Sequence, residues 1–285
     1  MSELSIDGKA SSDVENQKGR SSAALPRISV ITPSYNQAEY LERTIRSVLD
    51  QEYPHIEYII IDGGSTDGSV ELIKRYESRL AYWVSEKDRG QAHAINKGLQ
   101  LATGDWVAWQ NSDDTYYPGV FSHMASVAHS NNAAQLIIGN MNLVDQHDQL
   151  LREMKYVKPS YKSLLAEGMV LTNQAAFCKR SLHQEIGPLN ETLECGFDYE
   201  WFLRLLAHTH QTQHVNAAWG ALRLHSETKT SHLQSVFDLE YRQILAGREP
   251  SIWDKRYHQL RRMCLMLGQG ELRYVLRGLV TRMSR

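Results

Sequence analysis

The chain has 285 residues, of which 42% are hydrophobic and 22% charged, with a formal net charge of -2. That length can bury a full core in one large or two small domains, and the near-neutral charge argues against a dedicated nucleic-acid binder. The three cysteines, Cys178, Cys195 and Cys264, are far apart and odd in number, which disfavours a disulfide framework or a zinc site and fits a reducing cytosol.

Residues 1–26 are polar and Ser-rich and lack the apolar core of a signal peptide, so they read as a disordered tail. No window approaches the length of a membrane span, so the expected location is the cytoplasm. From Arg27 the pattern alternates strand and helix. A β-rich run covers residues 27–32, and residues 40–51 place Leu41, Ile45, Val48 and Leu49 on one helical face. Ile56 to Ile61 is an apolar strand ending in Asp62, followed by the turn Gly63-Gly64-Ser65-Thr66-Asp67-Gly68 and a helix with Val70, Ile73 and Tyr76. Residues 80–84 form a third strand, 90–102 a helix, and 106–110 a fourth strand. Strands alternating with helices imply βαβ units and a mostly parallel sheet with right-handed crossovers.

The second half is less regular. Residues 118–130 read as helix, and 136–138, 141–144 and 150–154 as short strands. Residues 198–207 form a helix rich in aromatic and aliphatic side chains, and from about Thr230 the chain reads as helices only.

Ligands of open α/β sheets bind beyond the carboxyl ends of the strands. Three strand ends in one sheet carry Tyr35, Asp62 and Asp113 and are expected to converge on one crevice. Tyr35, after Pro33, offers a flat ring to a base, or belongs to a plain strand-to-helix loop in which Asn36 is a cap. Asp62 can accept from an imino N–H or ribose hydroxyls, or it caps the next helix. Gly90, with Gln91, opens a helix whose N-terminus favours a diphosphate, or forms a surface turn. Asn111-Ser112-Asp113-Asp114 suits a hard divalent cation holding phosphate oxygens, or an N-cap. Position 111 is Asn where a two-carboxylate clamp would carry Asp. Asp198 and Glu200 open an apolar helix. A carboxylate half-buried among aromatics has its charged form disfavoured, which makes it a better base near neutral pH. The alternative is capping and dipole stabilisation.

Together these segments resemble the family-2 glycosyltransferases of the GT-A fold, of the kind that builds bacterial surface polysaccharides. The matching motifs run in order from Val30-Ile31-Thr32-Pro33-Ser34-Tyr35-Asn36 and Ile61-Asp62-Gly63-Gly64-Ser65-Thr66-Asp67-Gly68 to Ser85-Glu86-Lys87-Asp88-Arg89-Gly90-Gln91 with Asn96-Lys97-Gly98. They continue through Asn111-Ser112-Asp113-Asp114, Asn173-Gln174-Ala175-Ala176-Phe177, Phe197-Asp198-Tyr199-Glu200 and Leu224-His225. Each motif is weak alone; the ordered set is specific.

The resemblance implies a metal-dependent, inverting transferase that moves a sugar from a nucleotide-diphosphate sugar to a sugar or lipid-linked acceptor hydroxyl. It implies Pro33, Tyr35, Asn36, Asp62, Ser65, Gly90, Gln91, Asn96, Asn111 and Ser112 around the donor. Asp113 and His225 would hold Mg2+ or Mn2+, and Asp198 would be the base. Asp114, Gln174, Glu200 and Trp201 would contact the acceptor. Phe197 departs from the pattern, since many members carry an acid there. The rival readings are a non-catalytic nucleotide-sugar-binding protein, a sugar nucleotidyltransferase and a glycoside hydrolase. Thr32 to Asn36 lacks the Gly-rich basic loop that the second requires, and the third leaves the nucleotide-type half unexplained.

The expected organisation is a catalytic unit over 27–230, with a nucleotide-sugar half over 27–117 and an acceptor half over 118–230, and then a helical extension over 231–285. Residues 252–285 carry eight Lys/Arg against two Asp/Glu, a net +6. Leu272, Val275, Leu276, Leu279, Val280 and Met283 fall on one helical face. Such a helix suits the inner face of an anionic membrane, or it packs on the catalytic unit or a second copy.

Overall fold

The computed structural model describes residues 25–226, 228 and 233–283; residues 1–24 of the expected tail lie outside the described residues. The first half forms β1 (Ile28–Ser34), α1 (Ala38–Leu49), β2 (Ile56–Asp62), α2 (Ser69–Arg75), β3 (Tyr82–Ser85), α3 (Gln91–Leu101) and β4 (Trp106–Trp109). These strands are parallel in the order β3-β2-β1-β4. β2 is an almost unbroken apolar run because helices cover both faces of a parallel sheet, and Tyr58 to Asp62 are fully buried. Leu41, Ile45 and Val48 are buried along α1 as their spacing predicts, with Leu49 at the margin.

Register sets the site. Ser34 lies opposite Asp62, Asp62 opposite Ser85, and Ile31 opposite Trp109. The carboxyl ends of four strands therefore share one edge. The α3 helix rides close on β1 because Gly98 has no side chain: a Cβ there would overlap the Ile31 side chain. Gly98→Ala is expected to cost about 1–3 kcal/mol by overpacking. An unchanged urea midpoint would contradict this close approach.

The second half contains β5 (Thr115–Tyr116), α4 (Val120–Ser130), β6 (Leu136–Val144), β7 (Leu150–Met154), α5 (Tyr161–Glu167), β8 (Ala176–Lys179), α6 (Arg180–Ile186), α7 (Phe197–His208) and β9 (Thr212–Arg223). The sheet continues from β4 through β8, β6 and β9 to β5, and β7 pairs with β6. β4–β8, β8–β6, β6–β7 and β9–β5 are antiparallel, and β6–β9 is parallel. The expected mostly parallel sheet is thus parallel in its nucleotide-type half and mixed beyond it.

Two expected short strands, 136–138 and 141–144, are one strand. Gly139 interrupts the apolar pattern because the Trp219 ring packs on it; a Cβ there would lie 2.5 Å from Trp219 Cγ. The register of β6 against β9 shifts at the same place, the usual meaning of Gly inside a strand. β8 and β9 were not legible as strands. Half-exposed Gln213, His214 and Val215 blur the alternation of β9.

Three helices follow: α8 (Gln234–Leu245), α9 (Ile252–Gly268) and α10 (Leu272–Met283). Ile244 and Leu245 of α8 belong to the main core. α9 and α10 instead share a small cluster of Met266, Val275 and Val157. Arg262 of α9 reaches Glu167 of α5 at 2.7 Å, and Lys155 reaches Glu271 at 2.6 Å. The single apolar face expected for α10 divides: Val275 is buried while Leu272, Leu276 and Leu279 are exposed. The Val280 and Met283 side chains lie outside the described residues.

Candidate active site

A cavity of about 730 Å3 lies at the carboxyl edge of the parallel strands. Pro33, Ser34 and Tyr35 line it from the end of β1, and Tyr35 leaves most of its ring exposed.

Asp62 does not face this cavity. It is fully buried, and its carboxylate accepts from the Gly64 and Ser65 amides at 3.1 and 2.9 Å and from the Ser65 and Ser85 hydroxyls at 2.6 and 2.7 Å. Its acceptor capacity is spent on the turn after β2 and on Ser85 of β3, and it caps no helix either, since α2 starts after Gly68 with no side-chain cap. Ser65 and Asn36 tie two loops together: the Asn36 amide donates to Ser65 Oγ at 2.8 Å, and Asn36 Oδ1 accepts from the Thr66 amide at 2.9 Å. Neither lines the cavity. Asn96 also turns away, donating to Leu189 O and Glu191 Oε1. The carboxylate that faces the cavity beside Tyr35 is Asp88. A Cβ on Gly63 would lie 2.7 Å from Asp88 Oδ2 and 3.3 Å from Tyr35 Cδ2, so Gly63 keeps this corner open. Asp88 Oδ1 accepts from the Gly90 amide at 2.8 Å, holding the entry to α3.

Gln91, Asn111, Ser112, Asp113 and Asp114 line the cavity wall below. Gln91 Nε2 donates to Asn111 Oδ1 at 2.8 Å, and Asn111 Nδ2 donates to Asp114 Oδ2 at 3.0 Å. Gln174 Nε2 donates to the same Asp114 oxygen at 2.7 Å, and the Arg223 amide to Asp114 Oδ1 at 2.8 Å. Asp114 is therefore the buried hub of a network that also engages Gln174. Burial and the neighbouring Asp113 raise its pKa well above the ordinary carboxylate value, against the pull of its donors.

The network explains Asn111. Its amide accepts from one neighbour and donates to the other, and an Asp cannot donate once ionised. Asn111→Asp is expected to set two carboxylates against each other and to cost about 1–3 kcal/mol at neutral pH. The added repulsion raises the folded pKa of the pair. The cost is therefore absent below about pH 4, where the carboxyl groups are protonated in both states, and grows as pH rises through the raised folded pKa values. Equal destabilisation at low and neutral pH would contradict this account.

Asp113 and His225 meet as expected, with Nε2 3.1 Å from Asp113 Oδ2. The His225 ring is buried against Tyr40, with centroids 4.5 Å apart. Arg223, which the sequence did not single out, fixes this wall. Its buried guanidinium donates to Asp113 O at 2.9 Å and to Asp148 Oδ1 at 2.5 Å, and lies 5.4 Å from the Tyr40 centroid. Burial would raise the Asp148 pKa, but hydrogen bonds from Arg223 and Arg43 hold it below the ordinary value.

Across the cavity, Phe197, Asp198 and Tyr199 project from the first turn of α7. Asp198 is half-buried, and its Oδ1 accepts from the Tyr199 amide at 2.7 Å. Glu200 and Trp201, expected at the acceptor, do not line the cavity. Glu200 pairs with Arg204 through two contacts of 2.8 Å. Trp201 is buried against Trp109, with centroids 5.1 Å apart. Successive helical positions turn by about 100°, so only part of an acidic-aromatic run can face one site.

Two contributions come from α8. Phe237 and Tyr241 line the cavity, and Tyr241 stacks on Tyr199 at 4.8 Å. Glu240, 7% exposed, collects three backbone donors from the segment leading into α7: Glu194 at 2.6 Å, Cys195 at 2.9 Å and Gly196 at 2.7 Å. No local motif marks Glu240, because its partners lie more than 40 residues away.

The sequence profile described as Glycosyl transferase family 2 matches residues 29–187. The putative teichuronic acid biosynthesis glycosyltransferase TuaG of Bacillus subtilis is 47% identical over 94 residues, covering 32% of this chain and 37% of that protein. An uncharacterized glycosyltransferase of Rickettsia felis is 29% identical over 195 residues, covering 64% of this chain and 31% of that one. The chain thus spans about a third of the length of these curated relatives. An uncharacterized glycosyltransferase of Mycobacterium tuberculosis is 33% identical over 184 residues, with 64% and 69% covered. S. aureus TarS in complex with UDP-GlcNAc superposes with a TM-score of 0.63 at 15% identity, covering 81% of this chain and 69% of that one. A mannosyltransferase from Pyrobaculum calidifontis in complex with GDP-Man and Mn2+ gives 0.57 at 17%, with 92% and 81% covered. These structural likenesses bear out the expected GT-A fold.

Proposed function

The chain belongs to glycosyl transferase family 2, and from that premise we propose that it transfers a sugar, with inversion, from a nucleotide-diphosphate sugar to an acceptor hydroxyl in surface-polysaccharide or glycoconjugate synthesis. The observation that carries this reading is one cavity lined by both Asp113 and Asp198, with His225 behind Asp113 at 3.1 Å and not itself in the lining. The relatives support the donor class and the pathway: TuaG is named for teichuronic acid biosynthesis, and the structural neighbours hold UDP-GlcNAc and GDP-Man.

In this reading Tyr35 and Pro33 flank the base, and Asp88 takes the polar contact that Asp62 is not free to make. Gly90 and Gln91 present the N-terminus of α3 to the diphosphate, where a helix favours negative charge. Asp113 and His225 fit a divalent cation. One carboxylate oxygen and one imidazole nitrogen suit Mg2+ or Mn2+ shared with phosphate oxygens, and among the described residues no cluster of three or more His, Cys, Asp or Glu offers an all-protein cage. When bound there, the cation supplies charge neutralisation to the departing diphosphate.

Asp198 takes the acceptor proton as the acceptor oxygen bonds to the anomeric carbon. The bond from that carbon to the phosphate oxygen breaks, and the nucleoside diphosphate leaves with the electron pair. A single displacement of this kind inverts the anomeric centre. Phe237, Tyr241 and Met169 line the acceptor side, an apolar and aromatic surface that suits the flat face of a sugar ring.

A panel of nucleotide sugars scored by thermal shift with Mn2+ tests the donor class. One or more donors are expected to raise Tm, and Asp113→Ala is expected to remove the Mn2+-dependent part of the shift. A shift unchanged by Asp113→Ala would overturn the metal assignment, and no shift with any donor would overturn the donor class.

A further inference from the structure

Among the described residues no helix is long and apolar enough to cross a membrane, yet α9 carries an apolar stripe turned away from the protein. Trp253 is 72% exposed, Tyr257 63% and Leu260 61%, and Cys264 and Leu267 continue the line. The spacing is four, three, four, three, so on a helix of 3.6 residues per turn these side chains share one narrow face. The opposite face is the docked one: His258 and Met266 are buried, and Arg262 forms an ion pair with Glu167. The stripe is therefore not the part of α9 that holds it to the fold.

What borders the stripe decides its occupant. Arg256 and Arg261 flank it, and the Arg256 guanidinium lies 5.4 Å from the Trp253 centroid. On α10, exposed Leu272, Leu276 and Leu279 are interleaved with exposed Arg273 and with Arg277, which also pairs with Glu153 at 3.2 Å. The segment from 252 to 285 is +6 in a chain of -2. Pairing α9 with a second copy along this seam would bring Arg256 and Arg261 against like charges in a parallel pair, or Arg261 against itself in an antiparallel one, which disfavours a helix pair. An anionic lipid surface meets both features, accepting apolar and indole side chains at its boundary and attracting the guanidinium groups.

We propose that the exposed face of α9, with the adjoining leucines and arginines of α10, seats the protein on an anionic membrane surface. In the sequence this surface follows directly on α8, whose Phe237 and Tyr241 line the cavity.

Flotation of the full chain with vesicles tests it, using phosphatidylcholine alone and phosphatidylcholine mixed with phosphatidylglycerol. Binding to the anionic vesicles is expected to exceed binding to the neutral ones by on the order of tenfold or more and to weaken as salt is raised. Arg256→Glu with Arg273→Glu is expected to abolish the difference, and Trp253→Ser with Leu260→Ser to abolish binding. These side chains are exposed, and an unchanged Tm for each variant shows that folding is intact. Equal binding to both vesicle types overturns the proposal, as does no binding to either. A concentration-dependent dimer that disappears in Trp253→Ser/Leu260→Ser, with no vesicle binding, assigns the stripe to a second copy instead.

Discussion

Asp198→Asn is expected to lower kcat by about 10^2–10^4-fold while the donor dissociation constant moves by less than about twofold. Asn has nearly the shape of Asp and can still accept from the Tyr199 amide, an interaction seen at 2.7 Å, so the helix entry is retained. What disappears is the capacity to take a proton from the acceptor. Calorimetric titration of the donor and steady-state turnover separate the two effects. Turnover near the wild-type level would show that the base is another group. A loss confined to KM would show that Asp198 binds rather than reacts.

The second large effect concerns Glu240. Its carboxylate is the shared acceptor for the amides of residues 194, 195 and 196, immediately before the turn that carries Asp198. Glu240→Ala removes the shared acceptor of these amides, two of them buried, at a cost of about 3 kcal/mol or more. A displacement of the α7 entry by about 1 Å is enough to lower kcat by on the order of 10^2-fold. Glu240→Gln keeps one acceptor oxygen and is expected to recover part of both losses, with the donor affinity unchanged throughout. Equal stability and turnover in Glu240→Ala and the native chain would remove Glu240 from the positioning of the site. Gly196 belongs to the same device, since a Cβ there would lie 3.0 Å from Ile244 Cδ1 and 3.4 Å from Glu240 Oε2.

Local pattern made the parallel half legible. β2 and α1 follow directly from apolar periodicity, and of the three strand-end residues Tyr35 and Asp113 meet at one cavity while Asp62 does not. Local pattern failed where one side chain has two chemically sensible uses. Asp62 reads equally as a ligand contact or a helix cap, and only the donors around it, from Gly64, Ser65 and Ser85, show that it instead braces the turn against β3. Asp88 stands within its motif without distinction, because nothing in the sequence shows that the missing Cβ of Gly63 opens a path to it. Arg223, Glu240, Phe237 and Tyr241 act through contacts distant in sequence, and no spacing rule reaches them. The second half of the sheet was harder still: Gly139 resembles a break between strands, and the polar residues of β9 resemble a loop.

The most direct measurement is time-resolved proton NMR of a donor that binds in the panel, incubated with the chain and followed from the first turnovers. The account predicts nucleoside diphosphate and a sugar that appears, on the acceptor or as free sugar before mutarotation, with the anomeric configuration opposite to that in the donor. Release with retained configuration, cleavage to a sugar 1-phosphate, or binding with no turnover in the presence of acceptor hydroxyls would contradict it.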